Sequence, residues 1–183
     1  MAGFQLFAHP WWVNLVFGVP FVAYLIWRLS GLAIAPKTLV LAAIFGVAFG
    51  FVEAAVVVYL RAAVGLTDPA LVQNIEALGK LSGRLFTIEL FREAATLVML
   101  ATLAMLAAPA RRERWAIFFW MFAIWDLTYY AGLWATVRWP QSITAPDVLF
   151  LIPVPWVAPV GFPMLVSALI LAAVLAAWRR HAS

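Results

Sequence analysis

Long apolar runs separated by short polar joints dominate this chain, and the runs have the length of bilayer-crossing helices, about 20 residues each. The first extends from about Trp11 to Leu29, with Trp11 and Trp12 as interfacial aromatics and Arg28 near its far end. The second follows Pro36, a residue suited to a first helical turn, and runs from about 37 to 62. Polarity then rises. Thr67-Asp68-Pro69 opens a stretch with Leu71, Val72, Ile75, Leu78 and Leu81 at near-helical spacing, which predicts a short interfacial helix over about 68–82. The third run covers about 85–107 and stops before Pro109; the fourth, about 114–136, follows Arg111, Arg112 and Arg114. Between 140 and 163 the chain is apolar yet carries six prolines, and an interior proline removes a helical hydrogen bond and clashes with the preceding turn. That segment is expected to be broken or re-entrant and packed on protein. The fifth run occupies about 164–178, or starts a turn or two earlier.

The predicted fold is an all-α integral membrane protein, a single transmembrane domain over 1–183 with about five spanning helices. Composition agrees: 67% of the 183 residues are hydrophobic, 11% are charged, and the mean hydropathy is +1.02. A soluble domain averages about a quarter charged residues. The net charge of +4 does not point to nucleic acid, because the basic residues gather at the ends of the apolar runs. With the N-terminus outside, inner joints hold seven Lys and Arg (28, 37, 111, 112, 114, 179, 180) and outer joints four (61, 80, 84, 138). The positive-inside rule thus favours N-terminus out and C-terminus in, and a bacterial inner membrane is the expected location. The start of the chain lacks a basic n-region and a small-residue cleavage pattern, so the first run is expected to remain as a span.

Against this background, Glu53, Glu89, Glu93 and Asp126 lie inside the apolar runs. An ionisable group at bilayer depth costs roughly 2.5 to 3.5 kcal/mol even on lenient insertion scales and normally faces a bundle interior. At about 1.5 Å per residue, Glu53 falls about 24 Å from the inner edge of a core about 30 Å thick, Asp126 about 18 Å from it, and Glu89, Arg92 and Glu93 roughly 6 to 12 Å below the outer edge. Three helices thus bring polar groups to one outer-half layer. Glu89, Arg92, Glu93 and Thr96 have i, i+3, i+4, i+7 spacing, and Asp126, Tyr129 and Tyr130 repeat its first three positions. Glu53 continues the face of Gly46 and Gly50, a small-xxx-small pair that admits a neighbouring helix.

Four carboxylates against Arg92 leave three excess negative charges, which a low dielectric does not tolerate unaided. Shared protons, a water-filled vestibule, recruitment of Arg61 and Arg138 from the rim, or a hard cation (Mg²⁺, Mn²⁺ or Ca²⁺) on Glu53, Glu89, Glu93 and Asp126 would each balance them. The absence of cysteine from the sequence excludes disulfides and iron–sulfur clusters, and His9 and His181, near opposite ends of the chain, do not suit a haem. A phosphate loop, an HExxH motif and a nucleophile elbow are also missing. FVEAAVVVYL (51–60) and FREAATLVML (91–100) share six of ten positions. Alanine- and valine-rich spans match by chance easily, and this similarity reads as coincidence.

These features lead to a small membrane enzyme acting on a lipid or lipid-linked substrate. Glu53, Glu93 and Asp126 are the candidate acid–base trio, Glu89 and Arg92 orienting groups, and Tyr129, Tyr130, Asp147 and Trp156 further binding residues, with 147–163 as lid or pocket wall. A purely structural ion pair among Glu89, Arg92 and Glu93 is the bland alternative. A proton- or cation-coupled transporter or channel subunit would use the same carboxylates but needs a polar path through the inner halves of the helices, which are apolar at 40–48, 97–107 and 117–123; a homo-oligomer or a rocking motion would have to supply one. A noncatalytic complex subunit is the third option. Membrane lipids are the expected partners, and Glu113 reads as a loop residue whose replacement is harmless.

Overall fold

The computed structural model describes residues 7–29, 31–63, 65, 83–149 and 156–182. It is mostly helical. Helices α1 (Gly18–Arg28), α2 (Pro36–Ala63), α3 (Gly83–Ala107) and α4 (Arg111–Val137) precede two strands, β1 (Pro146–Leu149) and β2 (Trp156–Pro159), and α5 (Gly161–Ala182) follows. Among the described residues, five helical stretches are long and apolar enough to cross a membrane: Trp11–Arg28, Pro36–Ala63, Gly83–Ala107, Arg111–Val137 and Gly161–Trp178. The interfacial helix expected over 68–82 lies outside the described residues.

The first stretch begins as a 3₁₀ helix, Trp11–Phe17, rather than as an α-helix. Two local causes are visible. Asn14 folds back, its Oδ1 accepting from the Ala8 amide at 2.9 Å and its Nδ2 donating to the carbonyls of Ala8 and Trp11. Pro20 cannot donate to the carbonyl four residues before it, so regular α geometry is taken up only at the turn that contains it.

Helix α4 is the hub, with α2 on one side, α5 on another and α3 also against it; α1 leans on α5. The α2–α4 approach is close because α2 carries glycines where it meets α4. A Cβ on Gly50 would stand 2.5 Å from the Trp125 carbonyl oxygen and 2.8 Å from Thr128 Cβ, and one on Gly46 would stand 3.0 Å from Ile124 Cγ2. One end of the bundle holds an apolar cluster of Trp27, Leu32, Leu100, Ile117, Met121 and Val174, all buried. There the indole of Trp178 donates to the carbonyl of Ile34 in the α1–α2 connection, and that of Trp120 to the carbonyl of Leu39 in the first turn of α2. The outer surface is apolar as well: Leu25, Ile44, Phe91, Val98 and Leu106 are all exposed.

Within the proline-rich segment, whose residues 150–155 lie outside the described residues, β1 and β2 pair as a short antiparallel hairpin, with Asp147 opposite Ala158 and Leu149 opposite Trp156. His9 adds a third strand contact, exchanging backbone hydrogen bonds with Val157 at 2.8 and 2.9 Å. Proline tolerates this geometry. Pro146 and Pro159 face each other at the hairpin end, and Pro163 sits in the first turn of α5, where an amide hydrogen would have no helical partner. Alternation then turns Asp147, Leu149, Trp156 and Ala158 to one face of the hairpin.

Candidate functional site

Helix α3 builds the first half of the site. Its i, i+3, i+4 stripe lets Arg92 clamp Glu89 within one turn: Nε donates to Oε2 at 3.0 Å and Nη2 donates to Oε1. Nη1 of Arg92 crosses to α2 and donates to Glu53 Oε1. Glu93 stands 3.6 Å from Nη2, and among the described residues its carboxylate takes part in no hydrogen bond. Glu53 and Glu89 are thus buried and bound by direct hydrogen bonds, whereas the Glu93 side chain, 18% exposed, is held only by the looser ion pair. Thr96 leaves the cluster; its hydroxyl donates back to the Arg92 carbonyl.

Helix α4 and the hairpin build the second half. Tyr130, buried one turn past Asp126, donates its hydroxyl to Asp147 Oδ2 at 2.9 Å, and the Val148 amide donates to Oδ1 at 2.9 Å. Burial raises the Asp147 carboxyl to about 6, against the opposing pull of the Tyr130 hydroxyl, the Arg61 charge and the Val148 amide. Asp126 is buried and accepts from Ser167 on α5 at 2.8 Å.

Asp147 and Tyr129 connect the halves. The charge of Asp147 acts on Glu93, on Asp126 and on Tyr129, and Tyr129 also lies in the fields of Glu53, Glu93 and Arg61. Tyr129 meets Tyr130 edge-on, with ring centroids 4.9 Å apart. Glu53, Glu89 and Glu93 therefore gather on Arg92, and Asp147 near Arg61, with Asp126 beyond it against Ser167. The charge imbalance read from the sequence persists.

Of the residues singled out from the sequence, Glu53, Glu89, Arg92 and Glu93 come into contact. Asp126 makes no hydrogen bond or ion pair with them among the described residues; its partner is Ser167. Trp156 is buried in a cluster with Ala8, Val13, Phe162 and Val166 and meets the Phe162 ring edge-on, so it is a core residue. The four carboxylates considered as an all-oxygen cation site do not form one. Arg92 occupies the centre that a cation would need, Asp126 is turned to Ser167, and among the described residues no three His, Asp or Glu side chains are arranged to hold a metal ion. Glu113 departs from its expectation outright. It lies in the first turn of α4, is buried, and accepts from Arg112 Nε at 2.9 Å, so it is not a loop residue.

Three members of the site carried little sequence signal. Ser167 is a lone hydroxyl in an apolar span, and Trp139 reads as one of several interfacial tryptophans. Arg61, considered only as a rim residue, continues the Glu53 face of α2 two turns on and stacks on Trp139, its guanidinium carbon 4.4 Å from the ring centroid. The other rim candidate, Arg138, caps α4 in the left-handed conformation and stacks on Trp134 instead. Comparison with known proteins finds no matching family model, no matching curated protein and no matching solved structure.

Proposed function

We propose that the chain is an integral membrane enzyme whose buried carboxylate chamber, opening toward the outer leaflet, performs acid–base chemistry on a lipid or lipid-linked substrate. Support for membrane insertion comes from five apolar helices whose exposed surface is itself apolar. In water such a surface would be an aggregation liability; against acyl chains it has no such cost. The N-out, C-in orientation in a bacterial inner membrane belongs to the same proposal and rests on the basic residues at the helix ends.

The observation that carries the catalytic reading is the unequal use of Arg92. Glu53 and Glu89 take its hydrogen bonds and hold it in place. Glu93 shares its charge, without a hydrogen bond, at the more open edge. A carboxylate so placed exchanges a proton with a substrate group without dismantling the clamp, which is the arrangement that general acid–base catalysis requires. Asp147 and Tyr130 form a second proton-holding pair within its electrostatic reach. Glu53 and Glu89 are then positioning residues, and Asp126 with Ser167 fixes α4 against α5.

Transport is the weaker reading. At the far end of the bundle Leu100, Ile117, Met121 and Val174 are fully buried in one apolar cluster, and an ion path would have to part it.

The test is lipid mass spectrometry. The purified protein is incubated with a total polar lipid extract, beside Glu93→Gln. Consumption of one lipid class by the wild type, lost in a Glu93→Gln variant with unchanged circular dichroism, is the expected result; identical lipid profiles from both proteins would remove the catalytic reading.

A further inference from the structure

Two buried hydrogen-bond donors near the Asp147 end of the chamber face no acceptor. Trp139 is 1% exposed, and its indole Nε1 is buried with no partner among the described residues. Arg61 Nη1 is likewise buried and unpartnered, and its guanidinium lies over the Trp139 ring. Leaving a buried N–H unsatisfied costs about 1–3 kcal/mol, and more when the group is charged. Such groups are rare in folded proteins, so two in a single stacked pair mark a place where an acceptor belongs.

Among the described residues the chain supplies none. Asp147 feels the Arg61 charge, but it is engaged by the Tyr130 hydroxyl and the Val148 amide. Arg92, the obvious anion holder from sequence, has Nε, Nη1 and Nη2 all donating to Glu53 and Glu89. An incoming anion therefore finds a wholly unengaged nitrogen at Arg61, whereas every guanidinium nitrogen of Arg92 already donates to a carboxylate and only the second N–H of each Nη is left. A stacked guanidinium keeps its N–H edges available, and that planar fork matches the oxygens of a phosphate.

We propose that Arg61 and Trp139 form an anion subsite for the phosphate group of an amphiphilic substrate, with the guanidinium and the indole N–H donating to its non-bridging oxygens. The subsite deepens, and rests on, the reading of the chamber as a lipid-handling site. Its placement suits that role. Arg61 lies eight residues beyond Glu53 on α2, two turns or about 12 Å along the axis. Asp147 sits within electrostatic reach of both Arg61 and Glu93, so it links the subsite to the proposed proton-transfer group.

Indole-¹⁵N NMR tests this on the full chain in a phosphate-free maltoside detergent, with the Trp139 signal assigned through Trp139→Phe. The probes are inorganic phosphate, dihexanoyl phosphatidic acid and, as uncharged control, dihexanoylglycerol. The Trp139 N–H signal is expected to move downfield and saturate with phosphatidic acid, not with dihexanoylglycerol. Arg61→Gln should weaken that response at least about tenfold while the other indole signals stay in place, with partial retention in Arg61→Lys. A parallel response to inorganic phosphate would show that free phosphate suffices; a response to phosphatidic acid alone would assign the subsite to a lipid headgroup. No movement with either phosphate probe, or equal binding by Arg61→Gln, would overturn the proposal. Glu93→Gln should still bind, so loss of the catalytic reading and loss of the subsite are separately visible.

Discussion

Asp147 is the residue on which the chamber's pH behaviour can be read most cleanly, because it lies outside the apolar helices and its two hydrogen-bond partners are known. An unfolded aspartate ionises near 3.9, whereas burial holds this one to about 6 in the fold. Between those values the folded protein keeps a proton that the unfolded chain releases. Stability from this residue is therefore lost as pH rises from about 4 to 6, and levels off above. Asp147→Asn keeps an acceptor for the Tyr130 hydroxyl and removes the titration. The melting temperature of the variant minus that of the wild type should rise across this window and then plateau; a difference that stays flat from pH 4 to 7 would show that Asp147 titrates normally. Glu113 carries a second expectation at this scale. Because it is buried against Arg112, Glu113→Ala should destabilise the protein measurably in thermal unfolding, where a loop residue would leave it unchanged.

Among the helices, the α2–α4 contact is where sequence and packing correspond most directly. Gly50→Ala forces a Cβ to 2.5 Å from a backbone oxygen that cannot swing away, and should cost about 1–3 kcal/mol in unfolding free energy. Gly18→Ala, with nothing within 4 Å of the added carbon, is the control expected to leave stability nearly unchanged or raised. The four helices from α2 onward that are long enough to span were legible, with α2 found within a residue of its expected ends, because runs of about 20 apolar residues have few other solutions. The face carrying Glu89, Arg92 and Glu93 was legible too, since helical period alone puts those side chains together. What the pattern concealed were partnerships set by contacts distant in sequence. Asp126 meets Ser167 41 positions away, and nothing near either residue advertises the pair. The hairpin was hidden for a related reason: prolines exclude a helix without specifying what replaces it, and its third strand contact comes from His9 near the other end of the chain. Trp156 looked like a site residue because its neighbours are prolines, yet strand alternation buries it with Phe162.

The molecule as a whole divides along its length into an apolar end, closed by Leu100, Ile117, Met121 and Val174, and a polar end where α2, α3, α4 and the hairpin pool their charges. The polar end depends on one link, the reach of Arg92 from α3 to Glu53 on α2, which joins two helices that otherwise meet mainly through α4. A double-mutant cycle on Glu53→Gln and Arg92→Gln, with unfolding free energies measured in the same detergent, tests that link directly. Strong non-additivity, about 1–3 kcal/mol, is expected, with the second substitution costing less once the first is made. Costs that simply add, to within about 0.5 kcal/mol, would mean that the two side chains do not meet and that the chamber does not exist as described.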